Sequence, residues 1–183
     1  MTLKNAEKDM ETILYTGEQI EKRISEVAQE LNEYYKDEEV LAVGILKGCV
    51  PFYWDLIKQL TFPVSFDFMV VSSYGAGTVS SGVNIKKDLA VDIKDKNVLI
   101  VEDILDTGHT LYTLRDILTE RKPKDIKICT LLDKPDRRIK DIKADFLGFE
   151  IEDNFVVGYG LDYDEKYRQL PFVGILKPSV YNK

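Results

Sequence analysis

The segment from Asn97 to Leu118 most narrows what this chain can fold into. Val98-Leu99-Ile100-Val101 is a run of four aliphatic residues, the pattern of a strand buried on both faces of a parallel sheet. It enters two adjacent acids, Glu102 and Asp103, then Ile104-Leu105 and Asp106-Thr107-Gly108-His109-Thr110. Leu111, Leu114, Ile117 and Leu118 follow at helical spacing. A strand, a short hydroxyl-rich loop and a helix start make a phosphate cradle. The loop N–H groups and the positive end of the helix dipole face an anion, and Gly108 lets the backbone come close. The two acids would repel that anion unless they face sugar hydroxyls or a hard cation, both of which take carboxylate oxygens. A phosphorylated sugar satisfies both halves. Taken singly, an acid at a strand end is more often a solvated charge or a helix N-cap, and Asp106 is placed for the latter. The whole run together calls for a ligand.

The rest of the chain supplies a sheet around this strand. Ile13-Leu14-Tyr15 predicts a short edge strand, and Ile20, Ile24, Val27, Ala28, Leu31, Tyr34 and Tyr35 predict an amphipathic helix from Glu18. Val40 to Leu46 reads as a buried strand ending in Lys47-Gly48-Cys49-Val50, with Pro51 placed to open a helix running to about Leu60. That Gly turn is a second candidate anion loop, with Lys47 as its charge. Val64 to Val71 predicts another strand. The Gly/Ser-rich stretch from Ser72 to Gly82 is then either a functional loop or a hairpin tip. Leu89 to Ile93 predicts a returning strand, Ile126 to Leu132 one that ends near Lys134, and Phe172 to Leu176 a last one. Strands alternating with helices predict an α/β fold whose ligands bind at the C-terminal strand ends, where Lys47, Glu102 and Lys134 converge.

Composition closes off several alternatives. A chain of 183 residues with 44% hydrophobic and 31% charged residues suits one domain, residues 1–183, with a sizeable core. The net charge of -7 argues against non-specific nucleic-acid binding. The Walker A pattern is missing, and Gly75-Ala76-Gly77 and Gly158-Tyr159-Gly160 lack the third glycine of a dinucleotide fingerprint. Cys49 and Cys129 lie far apart without metal-ligand spacing, so free thiols in a reducing compartment are expected. The N-terminus lacks an apolar targeting core and no run reaches membrane-spanning length, so the expectation is a cytoplasmic protein with neither membrane nor nucleic-acid partners.

The run Val98 to Leu111 resembles the ribose-phosphate signature of the type I phosphoribosyltransferases: two acids, two apolar residues, Asp-Thr-Gly and a Thr. Leu46-Lys47-Gly48, Ser73-Tyr74, Lys134, Phe155 to Tyr163 and Arg168 extend the resemblance to the hypoxanthine-guanine phosphoribosyltransferases in their shorter bacterial form, over about Ile13 to Tyr181. The resemblance implies a central, mostly parallel sheet flanked by helices. It adds a small hood from the N-terminal segment and residues around 140–183, and a flexible loop at about 72–88. It implies transfer of 5-phosphoribose from the donor PRPP to N9 of hypoxanthine or guanine, giving IMP or GMP and pyrophosphate, with Mg²⁺, in a homodimer or homotetramer.

Carried onto this chain, the resemblance places the 5′-phosphate on Asp106, Thr107, Gly108, His109 and Thr110. It places the ribose hydroxyls and metal on Glu102 and Asp103, with Asp162 as a further metal-shell acid beside the purine. Asp106 becomes the acid/base group at purine N7. Lys47, Gly48 and Arg168 hold the pyrophosphate, with a non-proline cis peptide before Lys47, and Ser73 and Tyr74 close over the site. Lys134 donates to purine O6 and N7, as Lys does to guanine in DNA. Phe155 stacks on the base and Val156 contributes backbone groups. On the residues alone, Lys134 reads as a solvated turn lysine, Phe155 as core, and Asp164 and Arg168 as an i,i+4 surface pair. His109, the one histidine, occupies a position that varies in the family. Three rivals share parts of the pattern: a PRPP- or nucleotide-binding regulator on the same fold, a phosphoacceptor receiver domain, and a xanthine-preferring sister transferase. The receiver domain fits least, since its acid pair belongs after the first strand, which here ends in Leu46-Lys47-Gly48.

Overall fold

The computed structural model describes residues 3–73 and 83–182. In chain order the elements are α1 (Leu3–Asp9), β1 (Met10–Tyr15), α2 (Gly17–Tyr35), β2 (Val40–Leu46), α3 (Val50–Ile57), β3 (Val64–Ser73) and β4 (Val83–Lys87). Then come β5 (Asn97–Leu105), α4 (His109–Thr119), β6 (Asp125–Asp133), β7 (Phe146–Glu150), β8 (Val156–Val157), β9 (Val173–Leu176) and α5 (Pro178–Tyr181), with a 3-10 turn at Pro135–Arg137. Six strands form the main sheet in the order β4-β3-β2-β5-β6-β7. All its neighbours are parallel except β4, which returns antiparallel along β3.

The predicted central strand is central. Alternate residues of β5 face opposite sides, so Leu99 and Val101 enter the core under α2 and α3, with Ile20, Leu31, Phe52 and Leu56. Val98 and Ile100 enter the core under α4, with Leu111, Leu114 and Leu118. A strand buried on both faces needs an aliphatic residue at every position, which is why β5 reads as an unbroken run. The α2 helix begins at a capping box, Thr16 accepting from Gln19 N–H while the Gln19 side chain accepts from Thr16 N–H.

Two expectations read from the residue pattern are corrected. The helix opened by Pro51 stops at Ile57 rather than near Leu60, because Asn32 grips the chain beyond it, donating to Gln59 O at 3.0 Å and accepting from Thr61 N at 2.8 Å. Leu89 to Ile93 is not a strand: Asp88, Asp67 and Asp92 carboxylates take the N–H groups of Leu89, Ala90 and Lys94 that a ladder would need. The returning strand is β4, so Ser72-Ser73 and Val83–Lys87, within the expected flexible loop, are ladder residues, and the tip between them lies outside the described residues. The edge strand β1 joins a separate antiparallel sheet, β1-β9-β8, over its own small core of Met10, Val157, Leu170, Phe172 and Leu176. β7, inside the range expected for the hood, belongs to the main sheet. Among the described residues no helix is long and apolar enough to cross a membrane.

Candidate active site

The loop after β5 presents donors without acceptors. Gly108 is the N-cap of α4, in the left-handed region (φ 84), and caps through its backbone alone; the N-cap is therefore Gly108, not Asp106. Among the described residues the N–H groups of Thr107, Gly108, His109, Thr110 and Leu111 donate to no protein acceptor. The loop carbonyls are taken from the far side. Thr107 O accepts from Ile139 and Lys140 N–H at 3.0 and 3.2 Å. Arg138 donates to Leu105 O at 3.2 Å and to Asp106 O, and its other arm meets Asp133. With the carbonyls engaged, the N–H groups are left for an anion. They line a cleft of about 380 Å³ together with Glu102, Asp103, Leu46 and Ser72. His109 is exposed at the first turn of α4.

The acid pair lies beside this cradle. Asp103 is 9% exposed, and its Oδ1 accepts from Ile104 N–H at 2.9 Å. Glu102 Oε2 is buried and accepts from nothing among the described residues. Burial, and next the neighbouring Asp103 charge, push the Glu102 carboxyl well above the ordinary carboxylate range, and burial pushes Asp103 up as well. Two crowded carboxylates with an orphaned oxygen suit a divalent cation or a diol. Asp162 Oδ1 lies 2.9 Å from Arg168 and its Oδ2 accepts from Glu165 N–H at 2.9 Å. Among the described residues no three His, Cys, Asp or Glu side chains gather as a metal-binding group.

Glycines bring three segments into direct contact. A Cβ on Gly48 would sit 1.6 Å from Asp103 Oδ2, and one on Gly160 (φ 101) would sit 1.9 Å from Gly48 O. The loop after β8, the Lys47-Gly48 loop and the acid pair thus stack with no room for a methyl group between them. The Leu46–Lys47 peptide is cis, as the resemblance implies. Lys47 Nζ reaches Glu165 Oε2 at 2.8 Å. Arg168 donates to Gly160 O at 2.8 Å and also meets Glu165 Oε1 at 3.3 Å. Asp164 pairs with Lys166 instead of Arg168, so the i,i+4 reading does not hold.

On the other side of Asp106, Lys134 is 5% exposed and donates to Asn154 O at 2.6 Å, which rules out a solvated turn lysine. Phe155 is not core: it is 39% exposed, with Tyr181 stacked at 4.8 Å between ring centroids and Tyr163 edge-on at 5.7 Å. Val156 is buried in β8 opposite Ile175. Asp106 Oδ1 lies 2.9 Å from Arg137 Nε, an ion-pair contact outside hydrogen-bond geometry. Arg137 also meets Asp153, which stands 3.7 Å from Lys134 Nζ. Ser73 ends β3, and Tyr74 lies outside the described residues. Sequence reasoning missed Arg137, Arg138, Gly160, Glu165 and Tyr181. Only the run of charges after Lys134 carried any local signal for them.

Comparison with known proteins agrees with this geometry. The phosphoribosyl transferase domain family matches residues 11–164. The hypoxanthine-guanine phosphoribosyltransferase of Bacillus subtilis (strain 168) is 54% identical over 174 residues, covering 94% of this chain and 97% of that protein. The enzyme of the same name from Streptococcus thermophilus (strain CNRZ 1066) is 50% identical over 178 residues, covering 97% and 99%. A crystal structure of a hypoxanthine phosphoribosyltransferase from Staphylococcus aureus matches with a TM-score of 0.95 and 47% identity over 100% of both chains. An open donor loop beside a crowded acid pair, on this sheet and with these relatives, places the chain in the hypoxanthine-guanine phosphoribosyltransferase family.

Proposed function

We propose that this site transfers 5-phosphoribose from PRPP to N9 of a 6-oxopurine, hypoxanthine or guanine, forming IMP or GMP and releasing pyrophosphate. The observation that carries the reading is the row of acceptor-free N–H groups from Thr107 to Leu111 beside the buried, unpartnered Glu102 Oε2. The first binds a terminal phosphate. The second suits the ribose hydroxyls and a cation on the same molecule. Mg²⁺ fits Glu102 and Asp103, which would hold it, with its other ligands from substrate oxygens and water as Mg²⁺ prefers. When bound it neutralises charge on the departing pyrophosphate.

The chain's own residues supply the rest. The C1′–oxygen bond to pyrophosphate breaks and the N9–C1′ bond forms through an oxocarbenium-like state, as in glycoside cleavage. Lys47 and Arg168 take up the negative charge of the leaving group, Asp162 orienting Arg168 at 2.9 Å. Asp106 accepts the proton from purine N7, with Arg137 at 2.9 Å directing its carboxylate. Lys134, held by Asn154 O, presents its remaining donors to O6. Phe155 offers a ring face whose reverse is braced by Tyr181. The family resemblance gives Ser73 and Tyr74 the role of shielding the donor from water.

The reading includes a one-domain chain under a hood built on β1-β9-β8, a cytoplasmic setting in keeping with two buried free thiols, and a homodimer or homotetramer. Val50 and Trp54, 47% and 55% exposed one turn apart on α3, support self-association. The test is pyrophosphate release from PRPP with and without Mg²⁺, with hypoxanthine, guanine, xanthine and adenine in parallel. Release with the first two is expected. Release with none would favour a PRPP-binding regulator, and release with xanthine alone a sister transferase.

A further inference from the structure

Glu165 has no role in the transfer just described, yet among the described residues it is the one carboxylate that touches both cations assigned to the leaving group. Its Oε2 lies 2.8 Å from Lys47 Nζ and its Oε1 3.3 Å from Arg168 Nη2. The other acids nearby are otherwise engaged, Asp162 on Arg168 and Glu165 N–H, Asp164 on Lys166. Glu165 is also the only ion-pair partner of Lys47 among the described residues. The turn that carries it is built for this reach. Asp164 and Glu165 both take left-handed backbone (φ 52 and 58), and Glu165 N–H is held by Asp162. The hydrogen bond from Lys47 holds the Glu165 carboxyl below its ordinary range, so it is ionised at neutral pH.

We propose that the Glu165 carboxylate is an internal counterpart of pyrophosphate, bridging Lys47 and Arg168 and competing with the pyrophosphate group for both. The inference rests on the reading that these two cations hold pyrophosphate. A carboxylate spanning two cations presents two anionic oxygens much as a bridging phosphate does, on a tether that cannot leave. It keeps Lys47 and Arg168 apart from other anions and weakens the grip on the product, favouring release. The Lys47 and Glu165 side chains are 66% and 64% exposed, so solvent keeps the competition modest and readily reversible.

The experiment measures binding of inorganic pyrophosphate with Mg²⁺ by calorimetry for the wild type, E165Q and K47M, each checked by circular dichroism. K47M is expected to bind more weakly. E165Q is expected to bind about two- to five-fold more tightly at low ionic strength, with the gain fading at high salt and absent in the E165Q/K47M double variant. A purely structural role for Glu165 could not produce tighter binding. If K47M loses affinity while E165Q binds equally or less tightly, the competition is overturned and the pyrophosphate assignment stands. If K47M binds as the wild type does, both are overturned.

Discussion

A single methyl group at residue 48 tests the stack that joins the Lys47-Gly48 loop to the acid pair. In Gly48→Ala the new Cβ would lie 1.6 Å from Asp103 Oδ2. The carboxylate would have to retreat by roughly 2 Å to regain ordinary contact distance. Gly48 does not have left-handed backbone, so the perturbation is steric and not conformational. Asp103 cannot simply rotate away: it is 9% exposed and its Oδ1 is held by Ile104 N–H at 2.9 Å. Overpacking of this kind costs about 1–3 kcal/mol of stability. A displacement of about 1 Å at a reacting group costs about 100-fold in rate, so kcat/KM for PRPP should fall by at least that, about 2.7 kcal/mol of transition-state stabilisation. Steady-state kinetics over a range of Mg²⁺ concentrations is the assay, and thermal melting is the control. Asp103→Ala removes the obstructing oxygen, so adding G48A to D103A should cost little more, a strongly non-additive cycle. Turnover of G48A within about five-fold of wild type, or additive losses in the double variant, would refute the argument.

Three further perturbations separate the roles. Glu102 is neutral in both states below its ordinary value of 4.5; above it the unfolded chain ionises while the folded protein resists, so this group subtracts stability as pH rises toward its raised value. Glu102→Gln should therefore melt higher than wild type near pH 7.5 without Mg²⁺, match it near pH 4, and gain less from added Mg²⁺. A lower melting point at pH 7.5 would show that Glu102 has a stabilising partner. Phe155→Ala should raise KM for hypoxanthine about ten-fold, leave KM for PRPP alone and barely change melting, because the ring is 39% exposed. Equal losses for both substrates would mean a packing role. Asp106→Asn should lower kcat by about 10²–10⁴ with PRPP affinity retained, and wild-type turnover would remove it from proton transfer.

Much of this site lies in one continuous stretch, which is why it was legible. Strand β5, the acids, the loop and the start of α4 are consecutive, and each is specified by local chemistry: aliphatic burial, paired charge, and a glycine free to take φ 84. What failed locally failed for traceable reasons. Leu89 to Ile93 has a strand's composition, but aspartates at 67, 88 and 92 claim the backbone donors, and Asp67 is more than 20 residues away in β3. Asp106 has an N-cap's composition, but Gly108 closes the helix two residues later.

The sequence by itself determined the alternation of strands and helices and the order strand, acid pair, loop and helix at the centre of the sheet, because periodicity and adjacent charges act over a few residues. Tertiary structure alone decided that Arg138 would take the loop carbonyls and leave its N–H groups free, and that Gly160 would press on Gly48 and Gly48 on Asp103. It alone set Glu165 across Lys47 and Arg168. Those contacts join residues far apart in the chain, and a lone arginine, glycine or glutamate carries no periodicity. Its meaning comes from the neighbour that folding brings to it.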